Sequence, residues 1–156
     1  VSYIVLNSMK KLYNYITSAL EQPLETRAKY ELICQSLVQY QEEFPFYFQM
    51  VLDNINIDFE NGQYLPEEKA TYQVGEDINE KLKDFFASGM EKGDLRYDLN
   101  VMSTIFHFWG MLSGLVQLAA AKESYIQRTM GFTKKQFLEH GFQLLYRSIE
   151  NRREEL

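Results

Sequence analysis

Apolar residues recur every three or four positions along most of the chain, the spacing of one face of an α-helix. After a first helix at the N-terminus, the same period predicts helices over 24–44, 45–57, 66–92, 101–126 and 133–150. The apolar face of the first helix consists of Val5, Met9, Leu12, Ile16 and Leu20.

Several local signals mark the ends of these predicted helices. Gly93 is a stop signal after the fourth helix, and Asn100 is a good N-cap for the fifth. Thr133 and Gln136 have the spacing of a capping box at the start of the last helix. No alternating strand pattern of useful length and no internal repeat interrupts the series. The sequence therefore predicts an all-α bundle of about six helices, forming a single domain over residues 1–156.

Composition and charge narrow the functional classes. The 156 residues carry 16 Lys and Arg against 22 Asp and Glu, a net charge of −6. Nucleic-acid binding requires a basic face, so this segment is not expected to bind DNA by itself. The single cysteine, Cys34, cannot form an internal disulfide, and we expect a cytoplasmic protein. The first ten residues lack the order of basic and then apolar residues that a signal peptide has. The chain opens at Val1 and not at a Met, which leads us to expect that an upstream segment is missing.

A membrane-spanning segment is not predicted either. The most apolar stretch, 105–121, is interrupted by His107, Ser113 and Gln117, and falls short of about 18 uninterrupted apolar residues. We therefore expect no membrane partner.

Residues with catalytic or metal-binding chemistry are few. His107 and His140 are the only histidines and lie on different predicted helices, without Cys, Asp or Glu at ligand spacing. The chain has no nucleophile elbow, no phosphate-binding Gly-rich loop and no dinucleotide fingerprint. Cys34 lies within a predicted helix, and a free cysteine there usually packs as a small apolar residue. A reactive thiol is the alternative. We therefore expect neither an enzyme nor a cofactor or metal site.

Aromatic residues and methionines concentrate in three segments, 45–57, 66–92 and the first half of 101–126. An ordinary packed core explains most of them. The short segment 45–57 is nevertheless apolar on nearly all sides, and flexible Met beside rigid rings suits a cavity for apolar guests. Both interpretations remain open from these residues alone.

A line of small and polar residues follows one face of the fifth helix. Gly costs about 1 kcal/mol within a helix, so two glycines on one face indicate close approach by another helix. That helix could belong to the same chain or to a second copy. The residues of this line are Ser103, His107, Gly110, Gly114, Gln117 and Ala121. The last helix has a stripe of its own, which consists of Phe137, Gly141, Leu145 and Ser148.

The segment Glu91–Asn100 leads from a helix end through Gly93, Leu95, Arg96 and Asp98 into a capped apolar helix. This pattern, with the order of helices before it, resembles the C-terminal regulatory domain of the tetracycline-repressor (TetR) family of transcriptional regulators. The resemblance covers essentially the whole chain and is one of pattern rather than of fixed residues. The N-terminal helix-turn-helix of that family is absent from this sequence.

The resemblance implies a homodimer that responds to a small ligand and binds operator DNA only through the missing domain. It also implies that the last two helices dimerise, which we expect here for Gly110, Gly114, Gln117 and Ala121 together with the stripe on the last helix. A helical adaptor without a ligand pocket is the alternative. For a small apolar or aromatic effector, the predicted contacts are Tyr13, Phe48, Val51, Leu52, Phe86, Met90, Met102, Phe106, His107 and Trp109, with Tyr13 and His107 as the polar groups.

Overall fold

The computed structural model describes residues 2–53 and 65–152, and every regular element among them is an α-helix. The all-α prediction is confirmed. Seven helices occur in the described residues: α1 (Ser2–Leu20), α2 (Thr26–Glu43), α3 (Pro45–Asp53), α4 (Pro66–Glu91), α5 (Val101–Ala121), α6 (Glu123–Met130) and α7 (Lys134–Arg147).

The predicted helix 101–126 is in fact two helices, which gives one element more than expected. The break falls at Lys122, whose ψ of 23° departs from helical geometry. No glycine or proline marks this position, so local sequence gives no warning. The turn lets α6 bury Ile126, which is only 2% exposed, against the rest of the molecule. The last part of the predicted helix 45–57, beyond Asp53, lies outside the described residues.

Capping occurs at the predicted positions. The Asn100 side chain accepts a 3.0 Å hydrogen bond from the backbone N–H of Ser103 at the start of α5. At α7 the Thr133 hydroxyl accepts from the Gln136 N–H, and the Gln136 side chain accepts from the Thr133 N–H. These bonds satisfy N–H groups that a helix leaves unpaired at its first turn. Gly93, just beyond α4, adopts φ 77°, which favours glycine.

The helices pack in two connected groups around one core. Helix α1 packs against α2, α3 and α4, and α5 packs against α2, α4 and α7. Helix α2 is therefore shared by both groups. Its buried face carries Tyr30, Ile33, Cys34, Leu37 and Tyr40.

A close contact fixes the turn between α4 and α5. Leu95 is buried against Gly89, where an added Cβ would lie 2.7 Å from the Leu95 Cδ1 atom. The Thr26 hydroxyl, at the start of α2, donates a 2.8 Å hydrogen bond to the Asp94 carboxylate. The backbone N–H of Asn151 donates to the Asp94 carbonyl. The turn thus holds α2, α4 and the end of α7 together, and positions the N-terminus of α5.

Candidate functional site

A cleft of about 490 Å³ lies between α1, α3, α4 and α5, and we call it the central cleft. Its volume is within the range of small-molecule sites, and none of the described residues that line it is charged. The lining residues are Met9, Leu12, Val51, Leu52, Gly75, Ile78, Asn79, Phe106, Trp109, Gly110, Ser113, Gly114 and Gln117.

The cleft exists because bulky and very small residues alternate around it. Ideal Cβ atoms built on Gly110 and Gly114 meet nothing within 4 Å, so this part of α5 borders open space. A Cβ on Gly75 of α4 would lie 3.6 Å from the Met9 Cε atom, an ordinary contact. Trp109, half-buried on α5, provides the largest ring in the lining.

Three polar side chains, Asn79, Ser113 and Gln117, line the cleft. Gln117 on α5 donates a 3.4 Å hydrogen bond to the Gln49 side chain on α3, which links the two helices. Ser113 is only 5% exposed. Among the described residues, neither the Ser113 hydroxyl nor the Asn79 amide has a hydrogen-bond partner. The cleft therefore offers two uncommitted polar groups within an otherwise apolar wall.

A second, much smaller cavity of about 40 Å³ lies deeper in the bundle. Trp109 lines both spaces. The small cavity is surrounded by core side chains of α1, α2, α4 and α5, including Phe86, Ile105 and Phe108.

The structure places four of the predicted ligand contacts in the central cleft: Val51, Leu52, Phe106 and Trp109. Phe86 lines the small cavity instead. Phe48 is buried in the core, Met90 packs against the core, and Tyr13, Met102 and His107 lie outside both spaces.

The two predicted polar groups, Tyr13 and His107, are thus not part of the cleft. His107 is exposed, and its Nδ1 lies 3.2 Å from the Ser103 hydroxyl one turn earlier on α5. Three lining residues are not among the predicted ligand contacts. In the sequence Ser113 is only an interruption of an apolar run, and Met9 and Leu12 belong to a regular apolar face that equally indicates a core.

Within the described residues, no other helix of the same chain covers the small-residue line on α5. Gly110 and Gly114 are exposed and border the cleft, as does Gln117, while Ala121 is exposed. Of the two alternatives for the helix that approaches these glycines, the described residues do not supply the intramolecular one.

The stripe predicted on α7 is partly used inside the chain. A Cβ on Gly141 would lie 3.0 Å from the Leu115 Cδ1 atom of α5. Phe137 and Leu145 pack against the core. Ser148 is exposed and donates a hydrogen bond to the Leu145 carbonyl. Gly141 thus allows α7 to approach α5 of its own chain. Three of these four residues thus have contacts within the chain, and their part in a dimer interface stays a prediction.

A wider groove of about 810 Å³ runs between α2 and α7. Its floor includes Tyr30, Cys34 and Phe142, while charged side chains form its rim. The rim charges are paired, as between Lys134 and Glu42 at 3.0 Å. Burial raises the pKa of the Cys34 thiol to about 12, so this cysteine is a neutral thiol at physiological pH. The groove therefore combines an apolar floor, which includes a neutral thiol, with a charged rim.

Within the described residues, α5 has the length and composition of a membrane span, with 21 residues and a mean hydropathy of 1.3. One such helix is weak evidence, because the core helix of a bundle meets the same criteria. Helix α5 packs against α2, α4, α6 and α7, and about a third of its most apolar stretch of 18 residues is buried. Its remaining apolar surface calls for an explanation by a membrane or by another protein surface.

Comparison with known proteins supports the fold alone. No family model matches the chain, and no curated protein matches it. Among solved structures, it is similar to a protein of unknown function from Rhodococcus sp. RHA1, with a TM-score of 0.75 at 11% sequence identity. The match covers 96% of this chain and 71% of the Rhodococcus chain. The arrangement of helices is thus shared over nearly the whole chain.

Proposed function

We propose that this chain is the regulatory domain of a TetR-like transcriptional regulator, which binds a small apolar effector and dimerises. The observation that carries the proposal is the central cleft, whose described lining has no charged residue. Met9 and Leu12 of α1 form part of this lining. In the family that the sequence resembles, the first helix of the regulatory domain connects to the DNA-binding domain. A ligand in the cleft would therefore contact the helix that transmits its signal.

The proposed mechanism is a shift between two positions of α1. A ligand that fits the cleft better in one position stabilises that position, in proportion to its difference in affinity. In the whole regulator, movement of α1 would change the distance between two helix-turn-helix domains. Those domains must lie roughly 34–36 Å apart to read successive major grooves, so the operator would be released. Helix α1 has its most extensive contacts with α4, the opposite wall of the cleft.

Exposed apolar side chains on α5 and α7 support the dimer. Phe106 of α5 and Leu144 of α7 are each 61% exposed, so both helices leave large apolar side chains in contact with water. The exposed glycines Gly110 and Gly114 leave room beside them for a second helix at short distance. Two-fold packing of α5 and α7 against a second copy would cover this surface, since a two-fold interface uses the same patch on both subunits.

A homodimer explains the apolar surface of α5 better than a membrane does. The exposed part of this helix also carries Ser103, His107 and Gln117, whose polar groups would be costly among lipid tails. We therefore propose a cytoplasmic protein without a membrane partner, and a binding role rather than an enzymatic one.

The α2–α7 groove favours one other candidate, a helical adaptor that binds a protein partner. Its apolar floor and charged rim are the general composition of a protein interface. In this case the central cleft would have no ligand.

Thermal denaturation with a panel of neutral bicyclic aromatic compounds tests the proposal against the adaptor. A ligand at 100 times its Kd stabilises the folded state by about 2.7 kcal/mol, which raises the melting temperature by several degrees. The regulatory domain should show such an increase together with a change in Trp109 fluorescence. If no compound of the panel changes either signal, the ligand-binding proposal fails and the adaptor takes its place.

A further inference from the structure

Ser113 differs from every other buried polar side chain in the described part of the chain. Four such side chains are buried: Ser8, Thr26, Thr71 and Ser113. The hydroxyls of Ser8 and Thr71 donate to backbone carbonyls of their own helices, at 2.6 and 2.8 Å, and that of Thr26 donates to Asp94. The Ser113 hydroxyl has no such acceptor, although a helical serine can usually donate to the carbonyl one turn earlier.

The position of Ser113 shows where a partner for its hydroxyl would lie. The residue is 5% exposed and lines the central cleft, so its remaining accessible surface is turned toward that space. No buried side-chain oxygen or nitrogen of the described residues lacks a hydrogen-bond partner, so the Ser113 oxygen is itself reached by solvent. An acceptor that enters the cleft can take the hydrogen bond that this hydroxyl otherwise donates to water. Asn79 on α4, also without a partner among the described residues, supplies amide N–H donors from another wall.

The rest of the lining restricts the charge of the ligand. Among the described residues of the lining none is a Lys, Arg, Asp or Glu, so an ionised ligand would lose its hydration there without gaining a counter-charge from them. The lining is otherwise dominated by aliphatic and aromatic side chains, which favour an apolar body.

We propose that the effector is an uncharged, largely apolar molecule whose one carbonyl oxygen accepts a hydrogen bond from Ser113, with Asn79 as a second donor. This inference rests on the proposed ligand-binding function and names the chemical class that the cleft selects. In this proposal Ser113 on α5 and Asn79 on α4 donate the hydrogen bonds to the effector, and neither His107 nor Tyr13 contacts it.

Three bicyclic probes of similar shape test the proposal by isothermal titration calorimetry. They are 2-acetylnaphthalene, which has a carbonyl; 2-ethylnaphthalene, which lacks it; and 2-naphthoate, which is an anion. The Ser113→Ala variant should bind the ketone about fivefold more weakly and the hydrocarbon with unchanged affinity, since only the ketone loses a hydrogen bond. The anion should bind more weakly than the ketone to the unmodified protein.

Ser36→Ala is the matched control, because the Ser36 hydroxyl already donates to the Leu32 carbonyl on α2, away from the cleft. It should change the affinity for none of the probes. Asn79→Leu provides a second variant in case Ser113→Ala folds poorly, and it too should weaken only the ketone.

Each other outcome overturns the inference. Equal losses for ketone and hydrocarbon, or no loss for either, would mean that water satisfies Ser113 and that no ligand group does. Preferred binding of 2-naphthoate would refute the uncharged class. If the unmodified protein binds none of the three probes while other compounds of the thermal panel bind, the inference fails and the proposed function stands. If nothing binds at all, both fail.

Discussion

The phenolic hydroxyl of Tyr30 donates a 2.7 Å hydrogen bond to the backbone carbonyl of Phe142 and so joins α2 to α7 across 112 residues. The Tyr30 ring is buried and packs edge-on against Phe108 of α5, with centroids 6.0 Å apart. One side chain thus connects three helices near the α2–α7 groove. Burial raises its pKa above the ordinary value of 10.0, so the hydroxyl remains a donor at physiological pH.

Replacing Tyr30 by Phe removes this hydrogen bond but keeps the ring. We expect the free energy of unfolding to fall by about 1 kcal/mol, the usual net contribution of such a bond. Urea denaturation followed by circular dichroism measures it. Tyr125→Phe, at an exposed position on α6, is the control and should have almost no effect. Equal stability of the two variants would show that the bond contributes nothing.

Gly89→Ala tests the contact that fixes the α4–α5 turn. The new methyl group would lie 2.7 Å from the Leu95 side chain, so the turn has to shift. We expect destabilisation by about 1–3 kcal/mol, the usual effect of overpacking, despite the higher helix propensity of alanine. Gly75→Ala, whose methyl would have only an ordinary 3.6 Å contact with Met9, should be neutral or stabilising. A stable Gly89→Ala protein would contradict the tight packing described for Leu95.

Gly114→Leu tests the proposed dimer. A Cβ built at this position meets nothing within 4 Å, so the larger side chain can enter the space beside α5, part of the central cleft, without a clash with the described residues. It should hold a second α5 away, and we expect the dimer to dissociate at micromolar concentration. Light scattering measures the mass, and Ala87→Leu at an exposed position on α4 is the size-matched control. A monomeric unmodified protein, or a Gly114→Leu dimer of unchanged affinity, would rule out this interface.

Phe106→Ala tests the wall of the central cleft. Phe106 is 61% exposed and lines the cleft, so its loss removes contact area for a ligand without opening the core. We expect about tenfold weaker binding of 2-ethylnaphthalene, since about 55 Å² of lost apolar contact corresponds to 1.4 kcal/mol. Calorimetry gives the affinity, and Met102→Ala, an exposed α5 residue outside the cleft, is the control. Binding that is unaffected by Phe106→Ala would place the ligand elsewhere.

Stability should decrease at alkaline pH. Burial raises the pKa of Cys34 from 9.0 to about 12, and that of Tyr146 from 10.0 to about 12. The unfolded chain therefore loses these protons at a lower pH than the folded chain does. The stabilisation is complete below pH 9 and is lost progressively as the pH rises to 12.

We expect the free energy of unfolding to fall by at least about 1 kcal/mol between pH 9 and pH 11, measured by urea denaturation. Cys34→Ala should reduce the slope, because it removes one of the groups whose pKa is raised by burial. A flat profile over this range would show that the thiol and the phenol ionise as easily in the folded protein as in the unfolded chain.

The sequence by itself determined the helices, because their signals are local. The spacing of Val5, Met9, Leu12 and Ile16 defines an apolar face within one element, and the caps at Asn100 and Thr133 depend on residues three positions away. The aromatic and methionine-rich segments likewise showed which helices would contribute to an apolar site. Four of the ten predicted ligand contacts line the central cleft, all from α3 and α5.

Only the tertiary structure decided which apolar residues face a space and which fill the core. Phe48 and Val51 lie three residues apart on α3, yet only Val51 lines the cleft. Whether a residue of α3 fills the core or lines the cleft depends on the space that the neighbouring helices leave beside it. The break at Lys122 and the exposure of His107 are decided in the same way, by contacts distant in sequence. Ser113 is the clearest case: its burial is set by helices packed around α5, and its free hydroxyl by the absence of an acceptor among the described residues.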